Sequence, residues 1–338
     1  MRSLSADSAI LLVPDAHTPP PSDTSRPPRM TVGVRALLLA GLFAAIGIAL
    51  WHLDPAAVGR AFTGMSWGWG LTAAAVNLAG LGVDAWRWQF IVNVDRSVPL
   101  RHTFRALLAG VIGNVVMPLK LGDGARTLLI SRSDGLSAAT ALTTVLLDRL
   151  IDSATLPLFV GLSSLLLPLP DAIVKYRPLM LLTVVITASL FALAGHVIRK
   201  QPVRERSLES GRTIERVLAG LAALGHPARL LRLVGAGLLS WSVRALVIWC
   251  MIQAFHLPLS PASAVSTLAA IYLSGAISPT PGNLASFELA AAGALGLWGV
   301  SGDTGLSLGI ATHALEIVPT MLLGLMLGVR PGRSPARP

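Results

Sequence analysis

The chain has 338 residues, 53% of them hydrophobic and only 13% charged, and a mean hydropathy of +0.67. Soluble domains carry about 25% charged residues, so the composition excludes an ordinary soluble enzyme and indicates an all-α, polytopic membrane protein. The net charge of +10 does not point to nucleic acid, because no recognition motif accompanies it and basic loops beside apolar spans explain it.

Residues 1–29 are rich in Pro, Ser, Thr and Asp and read as a disordered leader. Met30 directly precedes the first apolar run and is a second candidate start. Residues 30–330 read as one transmembrane domain, with a first half 30–198, a basic linker 199–228 and a second half 229–330, followed by a basic tail 331–338. The first span is expected over Val32–Trp51, the second over Trp67–Val92. The second ends in Asp84-Ala-Trp-Arg-Trp, where Trp86 and Trp88 around Arg87 suit a membrane–water interface.

Residues 106–117 are apolar but too short to cross, since a spanning helix needs about 20 residues. The chain breaks at Pro118–Gly122 and restarts at Asp123, which reads as a re-entrant hairpin. A long span is expected from Ser137 to Leu167, then a return over 178–198. Residues 229–255 cross next, and 262–278 lead into a second break, Pro279-Thr-Pro-Gly282-Asn283. The return over 283–300 makes a second hairpin, and 304–329 form the last span. The single Cys250 lies in an apolar stretch and is expected to pack.

Eight Lys or Arg against three Glu between Arg199 and Arg232 place that segment in the cytoplasm, with both termini. The sum is about six full spans plus two oppositely oriented re-entrant hairpins, an inverted-repeat, transporter-like plan in the cytoplasmic membrane. Two full crossings per hairpin would give the same sidedness.

Paired breaks at corresponding positions of two halves are the best sequence pointer to a transporter binding site. Asp123 and Asn283 are expected to cap the half-helices that start there. Such helix ends offer N–H donors and partial positive charge to an anion such as a phosphate. Lys120, Gly122 and Arg126 at the first break, and Gly282 and Asn283 at the second, are therefore candidate site residues.

Asp148, Arg149 and Asp152 lie inside the long span, Asp148 roughly 16 Å from its start and near mid-bilayer. Each charge there costs about 2.5–3.5 kcal/mol unless paired or wetted. One internal ion pair leaves an Asp over, which favours a cavity-lining role. Arg244, Glu288 and Glu316 are further intramembrane candidates. His313, one turn before Glu316, is expected to be a hydrogen-bonded core residue, with a proton relay as the alternative.

Gly113-Asn-Val-Val-Met-Pro118-Leu-Lys-Leu-Gly-Asp-Gly-Ala-Arg126, then Gly135-Leu-Ser-Ala-Ala and Leu147-Asp-Arg-Leu-Ile-Asp152, resemble the first signature of the flippase-like transmembrane domain of lysylphosphatidylglycerol synthases. Ser278-Pro-Thr-Pro-Gly-Asn-Leu-Ala-Ser-Phe-Glu288 resembles the second. The resemblance spans Met30–Val329, with departures. The family usually has Arg and Glu where Lys120 and Asp123 stand, and glycine where Asn283 and Ala285 stand.

The resemblance implies a two-repeat fold that moves lipid between leaflets. It does not imply lysyl transfer, since nothing after Arg330 suffices for the synthases' separate soluble domain. The expected activity is flipping of a phospholipid or polyprenyl-phosphate conjugate with an anionic head group, without enzymatic chemistry or a cofactor. Lys120, Arg126, Arg149 and Arg244 would contact phosphate, while Asp148, Asp152, Glu288 and Glu316 would balance charge or take protons. The alternatives are an integral-membrane lipid- or glycan-modifying enzyme, with Asp148 and Asp152 holding a divalent ion, and an accessory partner of a separately encoded enzyme. An oligomer is compatible with either.

Overall fold

A computed structural model describes residues 62–93, 97–117, 120–169, 174–200, 227–278 and 280–327. The expected leader, first span, most of the basic linker, and the tail lie outside these residues, as do Pro118 and Pro279. Among the described residues the secondary structure is helical, with no strand. The helices are α1 (Trp67–Val92), α2 (Leu100–Val116), α3 (Gly122–Asp134), α4 (Ala138–Leu166), α5 (Arg177–Lys200), α6 (Pro227–Ala254), α7 (Pro261–Ile277), α8 (Ser286–Gly296) and α9 (Gly302–Met326).

Local sequence explains the boundaries. Ser137 caps α4 by accepting from the Thr140 N–H, and Ser301 caps α9 by accepting from the Thr304 N–H. Gly135, left-handed at φ 69°, ends α3. The segment Ala228–Ala254 and helix α9 are long and apolar enough to cross a membrane by length and composition. Helices α1 and α4 are as long, 26 and 29 residues, but carry charges in mid-length.

Asp84, Arg87, Asp148 and Asp152 face inward, whereas Arg149 is exposed. Along α4, Leu142, Leu146 and Leu150 form an exposed stripe, while Thr144, Asp148, Asp152 and Thr155 are buried. Apolar outside and polar inside is the arrangement expected of a protein solvated by lipid.

The chain repeats one order of elements: a long helix, two short helices, then a long helix. Their lengths are 26, 17, 13 and 29 residues for α1–α4 and 28, 17, 11 and 25 for α6–α9. Each repeat ends in a long helix with an internal proline, Pro157 in α4 and Pro319 in α9. The short helices pair antiparallel. In the first pair Gly113 meets Gly122, Gly110 meets Arg126 and His102 meets Asp134. In the second, Ser274 meets Ser286 and Ser266 meets Trp298.

The long helices α1 and α6 also run antiparallel, joined at Ser66–Ala254, Gly80–Val243 and Asp84–Arg244. Asp84 and Arg244 are each the eighteenth residue of their helices, so corresponding positions of the two repeats meet. Helix α1 joins two apolar cores: Met65 and Ala73 pack with Trp241, Ile248 and Leu268, while Trp88 and Ile91 pack with Leu108, Ile130 and Leu147.

Two expectations at the breaks are corrected. Asp123 is not a cap; Leu121 precedes α3 and Asp123 is its second residue. Asn283 is not a cap either, because it ends a 3-10 turn, Pro281–Asn283, two residues before Ala285, which precedes α8.

Candidate functional site

Asp84, Arg87, Arg126, Asp148 and Asp152, with Arg244 of α6, form one connected network. Asp148, 2% exposed, accepts from Arg87 Nε at 3.1 Å and from Arg126 Nη2 at 2.8 Å. Asp152 accepts from Arg87 Nη1 at 2.5 Å and lies 3.5 Å from Arg244 Nη1. Arg244 donates to Asp84 at 2.6 Å, and the Ser240 hydroxyl also donates to Asp84. The Arg126 guanidinium lies 3.7 Å from the Trp88 ring centre. Arg149 forms a separate, more exposed pair with Asp123 through two hydrogen bonds, at 2.8 and 3.0 Å. Four arginines thus face four aspartates, a formally neutral assembly.

This geometry revises several expected roles. Arg126 is 3% exposed and has its anion inside the protein, so it is not open to a phosphate. Asp148 has both oxygens occupied by arginines, and Asp152 is flanked by Arg87 and Arg244; this leaves no open carboxylate pair for a divalent ion. Arg87 and Trp88 are 2% and 0% exposed, which overturns the interfacial reading for these two, while Trp86 is exposed. Each half-helix carries its own carboxylate in its first turn, Asp123 in α3 and Glu288 in α8, which offsets the positive end expected to attract an external anion.

A cavity of about 790 Å³ lies between the repeats. Of the expected site residues, Lys120, Arg149, Asp152, Arg244, Gly282, Asn283 and Glu316 line it. Gly122, Asp123, Arg126, Asp148 and Glu288 do not; of these, Asp123 holds Arg149 and Glu288 holds His313, both of which do. The lining also includes Asp84, Asn114, Tyr272, Ser278, Thr280 and His313. The backbone at Gly282 packs against Val115, so the ends of the two helix pairs touch at the cavity wall.

Both breaks are conformationally unusual. Lys120, Gly282, Asn283 and Ala285 have φ of 55°, 61°, 58° and 67°. Left-handed backbone costs a non-glycine residue about 1–2 kcal/mol. Asn283 and Ala285 are the positions where the resemblance expects glycine, and both adopt a positive φ that glycine takes without strain. Gly122 answers a different need, since a Cβ there would collide with the Gly110 carbonyl and Asn114.

In the second repeat, His313 Nδ1 lies 2.7 Å from Glu288 Oε1, and the ring stacks on Phe287 at 4.3 Å. His313 is therefore hydrogen-bonded, as expected for a core histidine, yet it also lines the cavity. Sequence reasoning missed Arg87 and Asp84 as network members. The available signal was a shared helix face: Asp84, Arg87 and Trp88 recur at three- and four-residue spacing.

The inward charges, the outward leucines and the cavity define the class: a helical membrane protein organised around a polar interior. Within that class, the chain belongs to the family described as the lysylphosphatidylglycerol synthase TM region, which it matches over residues 32–324. It is similar to a UPF0104 membrane protein of Methanothermobacter thermautotrophicus, with 21% identity over 300 residues, 82% of this chain and 88% of that protein.

Proposed function

We propose that the protein moves the head group of an anionic lipid between leaflets through the cavity between its repeats. The observation that carries this reading is that both helix breaks, with Lys120 on one side and Gly282 and Asn283 on the other, line a single cavity of about 790 Å³. That volume lies within the ~300–1,000 Å³ range of small-molecule sites, enough for a head group whose acyl chains stay in lipid.

In this reading the two short-helix pairs are re-entrant hairpins that approach from opposite leaflets and meet at Val115 and Gly282. About six other helices cross the cytoplasmic membrane, and both termini face the cytoplasm. Lys120 is the leading phosphate contact: it is exposed in the cavity wall and no carboxylate pairs with it among the described residues. Arg149, its side chain 44% exposed, and the Arg244 Nη1 atom, which donates no hydrogen bond, extend the positive edge. Arg126 holds Asp148 rather than the substrate. No bond in the lipid is made or broken, so the activity is transport rather than catalysis.

The test is leaflet exchange of a fluorescent phosphatidylglycerol in proteoliposomes. Lys120→Ala and Arg149→Ala should each slow exchange by roughly tenfold, the value of one lost charge-assisted hydrogen bond of about 1.4 kcal/mol. Wild-type exchange no faster than in protein-free liposomes would refute the proposal. Unchanged exchange in both variants would remove the positive edge from it.

A further inference from the structure

The two repeats place equivalent groups at equivalent points, and one substitution between them stands out. Arg149 is the twelfth residue of α4 and binds Asp123, the second residue of α3. His313 is the twelfth residue of α9 and binds Glu288, the third residue of α8. Asp152 and Glu316 are each the fifteenth residue of their helices. A permanent cation in the first repeat thus corresponds to a titratable one in the second.

The charge balance differs accordingly. Asp152 has Arg87 and Arg244 beside it. Glu316, one turn from His313 and in the cavity wall, has no ion pair or side-chain hydrogen bond among the described residues. Glu288 is 9% exposed, and its Oε2 is buried without a hydrogen-bond partner, which marks a place for one more hydrogen. With neutral His313, the cluster carries two carboxylates and no cation of its own. The other charged or titratable groups around the cavity are Arg244 on α6, Tyr272 on α7, Asp84 on α1, Lys120 at the first break, and Arg149 and Asp152 on α4. Arg244 is already held by Asp84 and Asp152, and Arg149 by Asp123. Like charges buried together are relieved by protonation.

We infer that Glu288, His313 and Glu316 form an exchangeable proton site, which couples lipid movement to a proton gradient. The proton arrives from water in the cavity and adds to His313 or to a carboxylate oxygen. It leaves as the same bond breaks when the cavity opens to the other side. The coupling rests on the transport reading above; the proton site itself does not.

Two measurements keep these apart. The first is the infrared difference between acidic and alkaline samples of the full chain in lipid. A protonated-carboxyl signal should be present in wild type and altered in Glu288→Gln or Glu316→Gln, with an imidazole signal lost in His313→Gln. Spectra unchanged in all three variants would overturn the site, whatever happens to lipid. Glu316→Gln removes no side-chain hydrogen bond, so it guards against misfolding of the other two.

The second is the ratio of lipid exchange with and without a pH gradient of about one unit. One proton per lipid predicts a bias of roughly tenfold between leaflets in wild type. The bias should vanish in His313→Gln, because the ratio is taken within each variant. A wild-type bias that persists undiminished in His313→Gln, or no bias in a wild type that exchanges lipid, would overturn the coupling. Absence of any wild-type exchange would instead count against the transport reading alone.

Discussion

The two repeats share a backbone plan but solve the problem of buried charge differently. The first holds four arginines against four aspartates, counting the Arg244 lent by α6. The second holds two glutamates and a histidine, with Glu288 Oε2 and the Glu316 carboxylate unpaired among the described residues. Full matching in a low-dielectric interior makes a rigid wall, because removing one member strands another. Incomplete matching makes a site whose charge can change without breaking the wall.

The contrast is sharpest in stability. Asp148→Ala strands Arg126 and leaves Arg87 with Asp152 alone, and should cost about 3–5 kcal/mol, seen as a large fall in unfolding temperature in detergent. In the second repeat, the double change Glu288→Gln with His313→Gln leaves no stranded charge. It should cost only about 0.5–1.5 kcal/mol, the worth of a hydrogen bond. Equal losses would erase the distinction between the repeats.

The breaks offer a second comparison. Gly122→Ala drives a Cβ into the Gly110 carbonyl and Asn114, and should cost about 1–3 kcal/mol while reducing leaflet exchange. At the other break the strain is conformational, so the sign reverses. Ala285→Gly relieves a left-handed alanine and should stabilise the protein by about 1 kcal/mol, measured in the same unfolding assay. A destabilised Ala285→Gly variant would mean that the turn is held by contacts rather than strained.

Much of the fold was legible. Apolar run lengths placed the described long helices within three residues at each end, and the second expected span coincides with α1. Pro118–Gly122 and Pro279–Gly282 marked the ends of the short pairs, because proline and glycine act through local backbone geometry. The pairing of charges was not legible. Arg126, expected to contact phosphate, has its anion 22 residues away on another helix. The Asp left over in α4 is matched by Arg87, 61 and 65 residues from its two partners and placed by its tryptophan neighbours in an interfacial pattern. Helix periodicity tells which residues share a face, and says nothing about which face of another helix it will meet. The left-handed turn at Asn283 and Ala285 escaped for the opposite reason: the residue types conceal a backbone path that glycine would have announced.

The spacing of these pairs along the chain bears on how the protein is made. Arg87 finds its carboxylates only once α4 exists, and Asp84 finds Ser240 and Arg244 only after α6, 156 and 160 residues later. Helix α1 therefore leaves the ribosome with two charges that the bilayer disfavours and no finished partner. Its stable seating in lipid has to wait for most of the remaining chain, so biogenesis of this protein is a collective event rather than a helix-by-helix insertion.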